Sequence, residues 1–229
     1  LKTNAVIDSA LDGVLILDEV YALLQQGLLG GDAFGREAID TLLARMENDR
    51  HRLAVIIAGY DDEVDRFLAG NPGLASRFPT RITFPSYSSA ELVQIAGVMA
   101  GKMEFRLDDA AAQLLERACA YLIDHDMLEV GDARVSMIRY EHSGDAGLPG
   151  TLRRMIDIAG NARFVRNVVE AATIEQMDRL VTLGDPDDLD DDTMNLLTEQ
   201  DVRPALTAVI RASLKADAPW ERQEVQWDL

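Results

Sequence analysis

Residues 13–19, GVLILDE, constrain this chain more than any other stretch. Four apolar residues, Val14 to Leu17, run into two adjacent carboxylates, Asp18 and Glu19. An uninterrupted apolar run suits a parallel strand buried on both faces beneath helices. Ligands of open α/β sheets collect at the carboxyl ends of such strands, where this pair falls. Acids there are costly to desolvate unless a cation or a reacting group meets them. Nucleotide hydrolysis asks for this arrangement: one carboxylate holds Mg²⁺ and the next orients or deprotonates the attacking water. From these seven residues alone, a plain buried strand ending in two solvated acids reads the same way.

The surrounding pattern extends the α/β reading. Residues 2–11 have helical periodicity, and residues 24–35 are glycine-rich and read as a mobile loop. Ile39, Leu42, Leu43 and Met46 form an apolar stripe at helical spacing over residues 36–48. A second apolar run, residues 53–58 (LAVIIA), completes a strand–helix–strand unit. A short helix at 63–69, a breaker cluster at 70–73 and a third strand at 81–84 (RITF) follow. From residue 88 the character is helical, over 89–101, 108–126, 161–182 and 201–214, with residues 127–150 irregular and an acidic linker at 185–192. The linker lacks the central Gly and closing Glu of a calcium hand.

Composition excludes several classes. A net charge of -18 disfavours non-specific binding to nucleic acid or anionic lipid. The lone Cys119 rules out an internal disulfide or cysteine zinc site and suits buried packing, and the three His are scattered. No apolar run approaches a membrane span of about 20 residues, so direct membrane insertion is not expected and the reading is cytoplasmic.

Two arginine positions carry chemistry. Arg77 lies in NPGLASRF, residues 71–78, where a lone loop Arg ordinarily makes a surface ion pair. In GNARFVRN, residues 160–167, Asn161 suits an N-cap and places Arg163 in the first helical turn with Arg166 one turn on. Cations there oppose the helix dipole, and an arriving anion would offset that cost; ion pairs to Asp157 or Glu170 are the bland alternative.

These segments in this order resemble the AAA+ ATPases of the CbxX/CfqX branch, and within it the members that serve type VII (ESX) protein secretion. The likeness rests on VIDSALDGVLILDEVYAL, AIDTLLARMENDRHRLAVIIAGY, NPGLASRF and DIAGNARFVRN. It implies an incomplete parallel-sheet ATPase domain over residues 1–87, an all-α lid over 88–215 and a tail at 216–229. Asp18 and Glu19 then look like the Walker B pair, for Mg²⁺ and for the lytic water. Tyr60 falls at the sensor-1 position, where many members carry a different polar residue, with Asp61 a stand-in. Arg77 looks like the arginine finger acting in trans, with Arg81 a weaker candidate, and Arg163 like the sensor-2 arginine.

The phosphate-cradling GxxxxGK[ST] is absent from this sequence: Lys102 follows Gly101, but Met103 and Ala96 break the pattern. The resemblance puts that motif before Lys2-Thr3. It implies ATP and Mg²⁺ as ligands of the intact protein, self-association into a ring, a hexamer, and secreted substrates or secretion-complex components as partners. The chain by itself is expected to bind ATP poorly and to hydrolyse none. A non-hydrolysing scaffold or adaptor of the same shape is the rival reading, and a DNA-handling clamp loader fits poorly with the acidic charge.

Overall fold

A computed structural model describes residues 2–24, 31–130, 133–136, 151–183, 189–215 and 218. The chain divides into two compact units, Leu1–Thr83 and Phe84–Leu229.

The first unit opens with α1 (Lys2–Ser9), then β1 (Gly13–Leu17), a 3-10 turn (Val20–Leu24), α2 (Gly31–Asn48), β2 (Leu53–Ile57), α3 (Asp61–Ala69) and α4 (Pro72–Arg77). β1 and β2 pair in parallel, Leu15 opposite Val55 and Ile16 opposite Ile56. Side chains alternate across a strand, so Leu15 and Leu53 turn inward to pack with Ile7 of α1 and Leu42 of α2. The other face holds Val14, Ile16 and Ile56, all half exposed or more. Among the described residues, therefore, the expected burial of this strand on both faces gives way to cover on one side.

Three more local readings change. Residues 81–84 form no strand; Ile82 and Phe84 are 74% and 88% exposed and have no ladder partner among the described residues. β-propensity in a short segment is worth little without a neighbouring strand to pair with. The glycine-rich stretch is in part helix, because α2 begins at Gly31, while residues 25–30 lie outside the described residues. Gly35 serves a close approach: a Cβ there would lie 1.8 Å from the Leu23 carbonyl oxygen. The breaker cluster starts α4: Asn71 is the N-cap, its side chain accepting from Gly73 N at 2.9 Å, and Pro72 follows it.

The second unit is helical at its centre: α5 (Ser89–Lys102), α6 (Asp109–Asp124), α7 (Met155–Ala159), α8 (Ala162–Leu183), α9 (Asp191–Met194) and α10 (Glu199–Leu214). Leu92, Leu115, Phe164, Val168 and Leu206 belong to one continuous core that joins α5, α6, α8 and α10. Helix starts are held by caps: Ser88 with Glu91 in a reciprocal box, and Asp108 accepting from Ala111 N. Asp190 caps α9, so the acidic stretch read as linker ends in a short helix; residues 184–188 lie outside the described residues.

Strands β3 (Arg106–Leu107) and β7 (Leu196–Leu197) add a two-residue parallel pair. The segment read as irregular contributes β4 (Asp126–Val130) and β5 (Ala133–Ser136), which with β6 (Thr151–Arg154) form an antiparallel sheet ordered β5-β4-β6. Residues 131–132, 137–150 and most of the tail lie outside the described residues. Among the described residues no helix is long and apolar enough to cross a membrane.

A buried charge pair fixes α8 against α10. Asp201, 1% exposed, accepts from Arg179 Nε at 2.8 Å, from Thr198 N at 2.8 Å and from Thr198 Oγ1 at 2.9 Å. Arg179 also donates to the Leu196 carbonyl at 3.0 Å, so both ions are paired and hydrogen-bonded as burial demands.

Candidate functional site

In the first unit, β1 delivers Asp18 and Glu19 into a tight reversal. Ala58 N donates to Leu17 O at 2.9 Å and Val20 N to Ala58 O at 3.4 Å, so the backbone stays tied to the end of β2 on either side of the acids. Glu19 adopts φ +49°, the left-handed region, which costs a residue with a Cβ about 1–2 kcal/mol. Backbone strain of this kind gathers at functional sites. The Asp18 carboxylate accepts from Glu19 N at 3.0 Å. Both side chains are exposed, and among the described residues no cationic side chain pairs with either. Two exposed, cation-free carboxylates at a strand end are the hard oxygen donors Mg²⁺ takes, one or two from protein and the rest from water and phosphate. The residues present fit that ion.

Two residues that sequence reasoning missed shape the same rim. Tyr21, two positions after Glu19, lies over Gly59; a Cβ at Gly59 would come within 3.0 Å of its ring. The only signal in the sequence was an aromatic shortly after the acids and a Gly just past the second strand. Tyr60 is the N-cap residue of α3, exposed, its side chain making no capping bond. Asp61 accepts from Arg81 Nη2 at 2.8 Å, and Arg81 Nη1 donates to Asp65 at 2.7 Å, so Arg81 is clamped to α3 by two carboxylates. These bonds raise the guanidinium pKa further.

Arg77 ends α4 in the last helical turn, where a loop position was expected. Its Nη1 donates to the Gly73 carbonyl at 3.2 Å, and its buried Nε has no hydrogen-bond partner among the described residues. A buried donor left unmade costs about 1–3 kcal/mol, so this folded-back rotamer is not a strong resting place.

In the second unit, α7 ends at Gly160 with φ +97° and Asn161 follows with φ +51°. Asn161 does not cap α8 in the expected way. Its Nδ2 donates to Asp157 Oδ1 at 2.7 Å, its own Oδ1 is buried without a partner, and its backbone carbonyl accepts from Phe164 N at 2.9 Å. An N-cap residue needs extended backbone to aim its side chain at the helix; the left-handed conformation, which Asn tolerates, turns it away. Arg163 stands exposed in the first turn of α8, and among the described residues its guanidinium has no partner. Arg166 takes the bland role, 3.8 Å from Glu170.

Comparison with known proteins bears on both units. A family model described as the AAA lid domain matches residues 147–212, which contain α7, α8 and most of α10. The ESX-3 secretion system protein EccA3 of Mycolicibacterium smegmatis is 46% identical over 213 residues, 92% of this chain and 31% of the relative. EccA3 of Mycobacterium tuberculosis is 50% identical over 179 residues, 78% of this chain and 25% of its own length. The ESX-1 secretion system protein EccA1 of Mycobacterium tuberculosis is 43% identical over 209 residues, 91% of this chain and 32% of its length. The chain thus spans about a third or less of the relatives it matches. With an AAA lid over residues 147–212 and this identity across nearly all of its length, the chain is similar to the corresponding part of the EccA proteins.

Proposed function

We propose that the protein carrying this chain is an ATP-hydrolysing AAA+ motor of the cytoplasm, working as a ring, a hexamer, on substrates or components of a type VII (ESX) secretion system. The observation that carries the reading is the acid pair at the carboxyl end of β1, held in a strained reversal and unneutralised among the described residues. Bound Mg²⁺ would supply charge neutralisation on the phosphates. Asp18 holds that ion. Glu19 accepts a proton from, or orients, the attacking water; its left-handed backbone fixes the direction in which the carboxylate leaves the strand. Tyr60, at the start of α3, occupies the sensor-1 position beside the acids' strand. Arg77 acts across the ring on a neighbour's γ-phosphate, leaving its bond to Gly73 and so relieving its orphaned Nε. Arg163, free of partners among the described residues, binds nucleotide and reports it to the helical unit.

The test is turnover and native mass of the full-length protein with ATP, wild type against Glu19→Gln. The variant is expected to keep nucleotide and assemble while turnover falls by at least about a hundredfold. Unchanged turnover in Glu19→Gln sinks the proposal.

A further inference from the structure

Asp157 receives more than its own helix requires. Its Oδ1 accepts from Asn161 Nδ2 at 2.7 Å and from Ser86 Oγ at 2.5 Å, and its Oδ2 stands 3.8 Å from Arg154 Nε. Ser86 is 71 residues away in sequence. It lies in the irregular stretch 79–87, just after the first unit ends at Thr83 and before α5.

The same carboxylate oxygen holds the turn that carries Arg163. Gly160 and Asn161 are consecutive left-handed residues. Asn161 N and Gly160 N both donate to Ile156 O, at 2.9 and 3.1 Å, which closes α7. Those two bonds hold the helix end but leave the Asn161 side chain undirected; Asp157 supplies its only partner among the described residues. The stem of Arg163 lies back over Gly160, so that a Cβ at Gly160 would meet Arg163 Cβ at 3.3 Å. The turn is therefore the platform on which Arg163 rests, and Asp157 is what braces it.

We propose that Asp157 is a positioning residue, tying the segment that joins the two units, through Ser86, to the turn that aims Arg163, so that displacement of that segment is felt at the guanidinium. Neither partner belongs to the hydrophobic core: Ser86 and the Asp157 carboxylate are only half-buried. The tie rests on hydrogen bonds to a charged acceptor, which are short, directional and sensitive to displacement. The inference depends on the reading of Arg163 as the nucleotide-contacting arginine.

The test is steady-state ATP turnover of the full-length protein. Ser86→Ala removes one donor from the surface of the unit and leaves its core intact; it is expected to lower kcat about tenfold, while the lost bond to a charged group lowers the unfolding midpoint by only a few degrees and leaves the chain folded at the assay temperature. Ser86→Thr, which keeps a hydroxyl, is expected to retain wild-type kcat. Asp157→Ala is expected to match Ser86→Ala or exceed it. On an Arg163→Ala background, Ser86→Ala is expected to cost nothing further, because it acts through that arginine. A wild-type kcat in Ser86→Ala, or equal losses with and without Arg163, overturns the inference. If Glu19→Gln abolishes turnover while Ser86→Ala is silent, only this inference falls. If Glu19→Gln and Arg163→Ala both leave turnover unchanged, the motor reading falls with it.

Discussion

Arg163 lies back across Gly160, its Cβ 3.3 Å from where a side chain on that glycine would begin. The contact and the backbone agree, since φ +97° already favours glycine. Gly160→Ala is expected to destabilise the helical unit by about 1–2 kcal/mol and to displace the Arg163 stem. A urea midpoint equal to wild type would show that the turn accepts a Cβ.

The Arg179–Asp201 pair gives a stronger effect. Asp201→Ala leaves a guanidinium that is only 16% exposed with one carbonyl, and removal of one member of such a largely buried pair is expected to cost about 3 kcal/mol, the low end for buried pairs. Replacing both, as Arg179→Met with Asp201→Leu, is expected to recover most of that loss, because no charge is then stranded. Chemical denaturation of the single and double variants measures the difference.

In the first unit, Gly35→Ala sets a Cβ 1.8 Å from the Leu23 carbonyl oxygen, which is backbone and yields little. The expected cost is at least about 1–3 kcal/mol. Hydrogen exchange should quicken in α2 and β1 and stay unchanged in α8 and α10, which belong to the other unit.

Burial, with a smaller contribution from Glu116, pushes the Cys119 thiol from 9.0 up to about 12. The folded chain therefore binds this proton more tightly than the unfolded chain. Its contribution to stability is fully present below pH 9.0 and is lost as pH rises toward about 12. Stability measured from pH 8 upward should fall more steeply in wild type than in Cys119→Ala. Alkylation at pH 8 should be slow in the native chain and rapid in urea, because the thiolate is the reactive form.

Much of the local structure was legible because local rules govern it. The run at Val14–Leu17 became β1, the stripe at Ile39, Leu42 and Met46 became the inward face of α2, and the helical periods after residue 88 became α5, α6, α8 and α10. The readings that failed depended on partners distant in the chain. Ile82 and Phe84 alternate like a strand but have nothing to pair with among the described residues. Asn161 reads as a cap, yet the left-handed backbone and Asp157 turn its side chain elsewhere. The strands β4 and β5 lack a strong alternating pattern; they pair with each other, and β6, brought from further along the chain, pairs with the other edge of β4.

The residue order by itself determined the acid pair at a strand end, the arginine in the first turn of a long helix and the acidic surface charge, since each follows from spacing and residue type along one segment. Tertiary structure alone decided that Glu19 sits in a left-handed reversal, that Tyr21 closes over Gly59 and that Ser86 meets Asp157. Those features join segments far apart in the chain or balance backbone strain against packing, and neither balance is written in a local pattern.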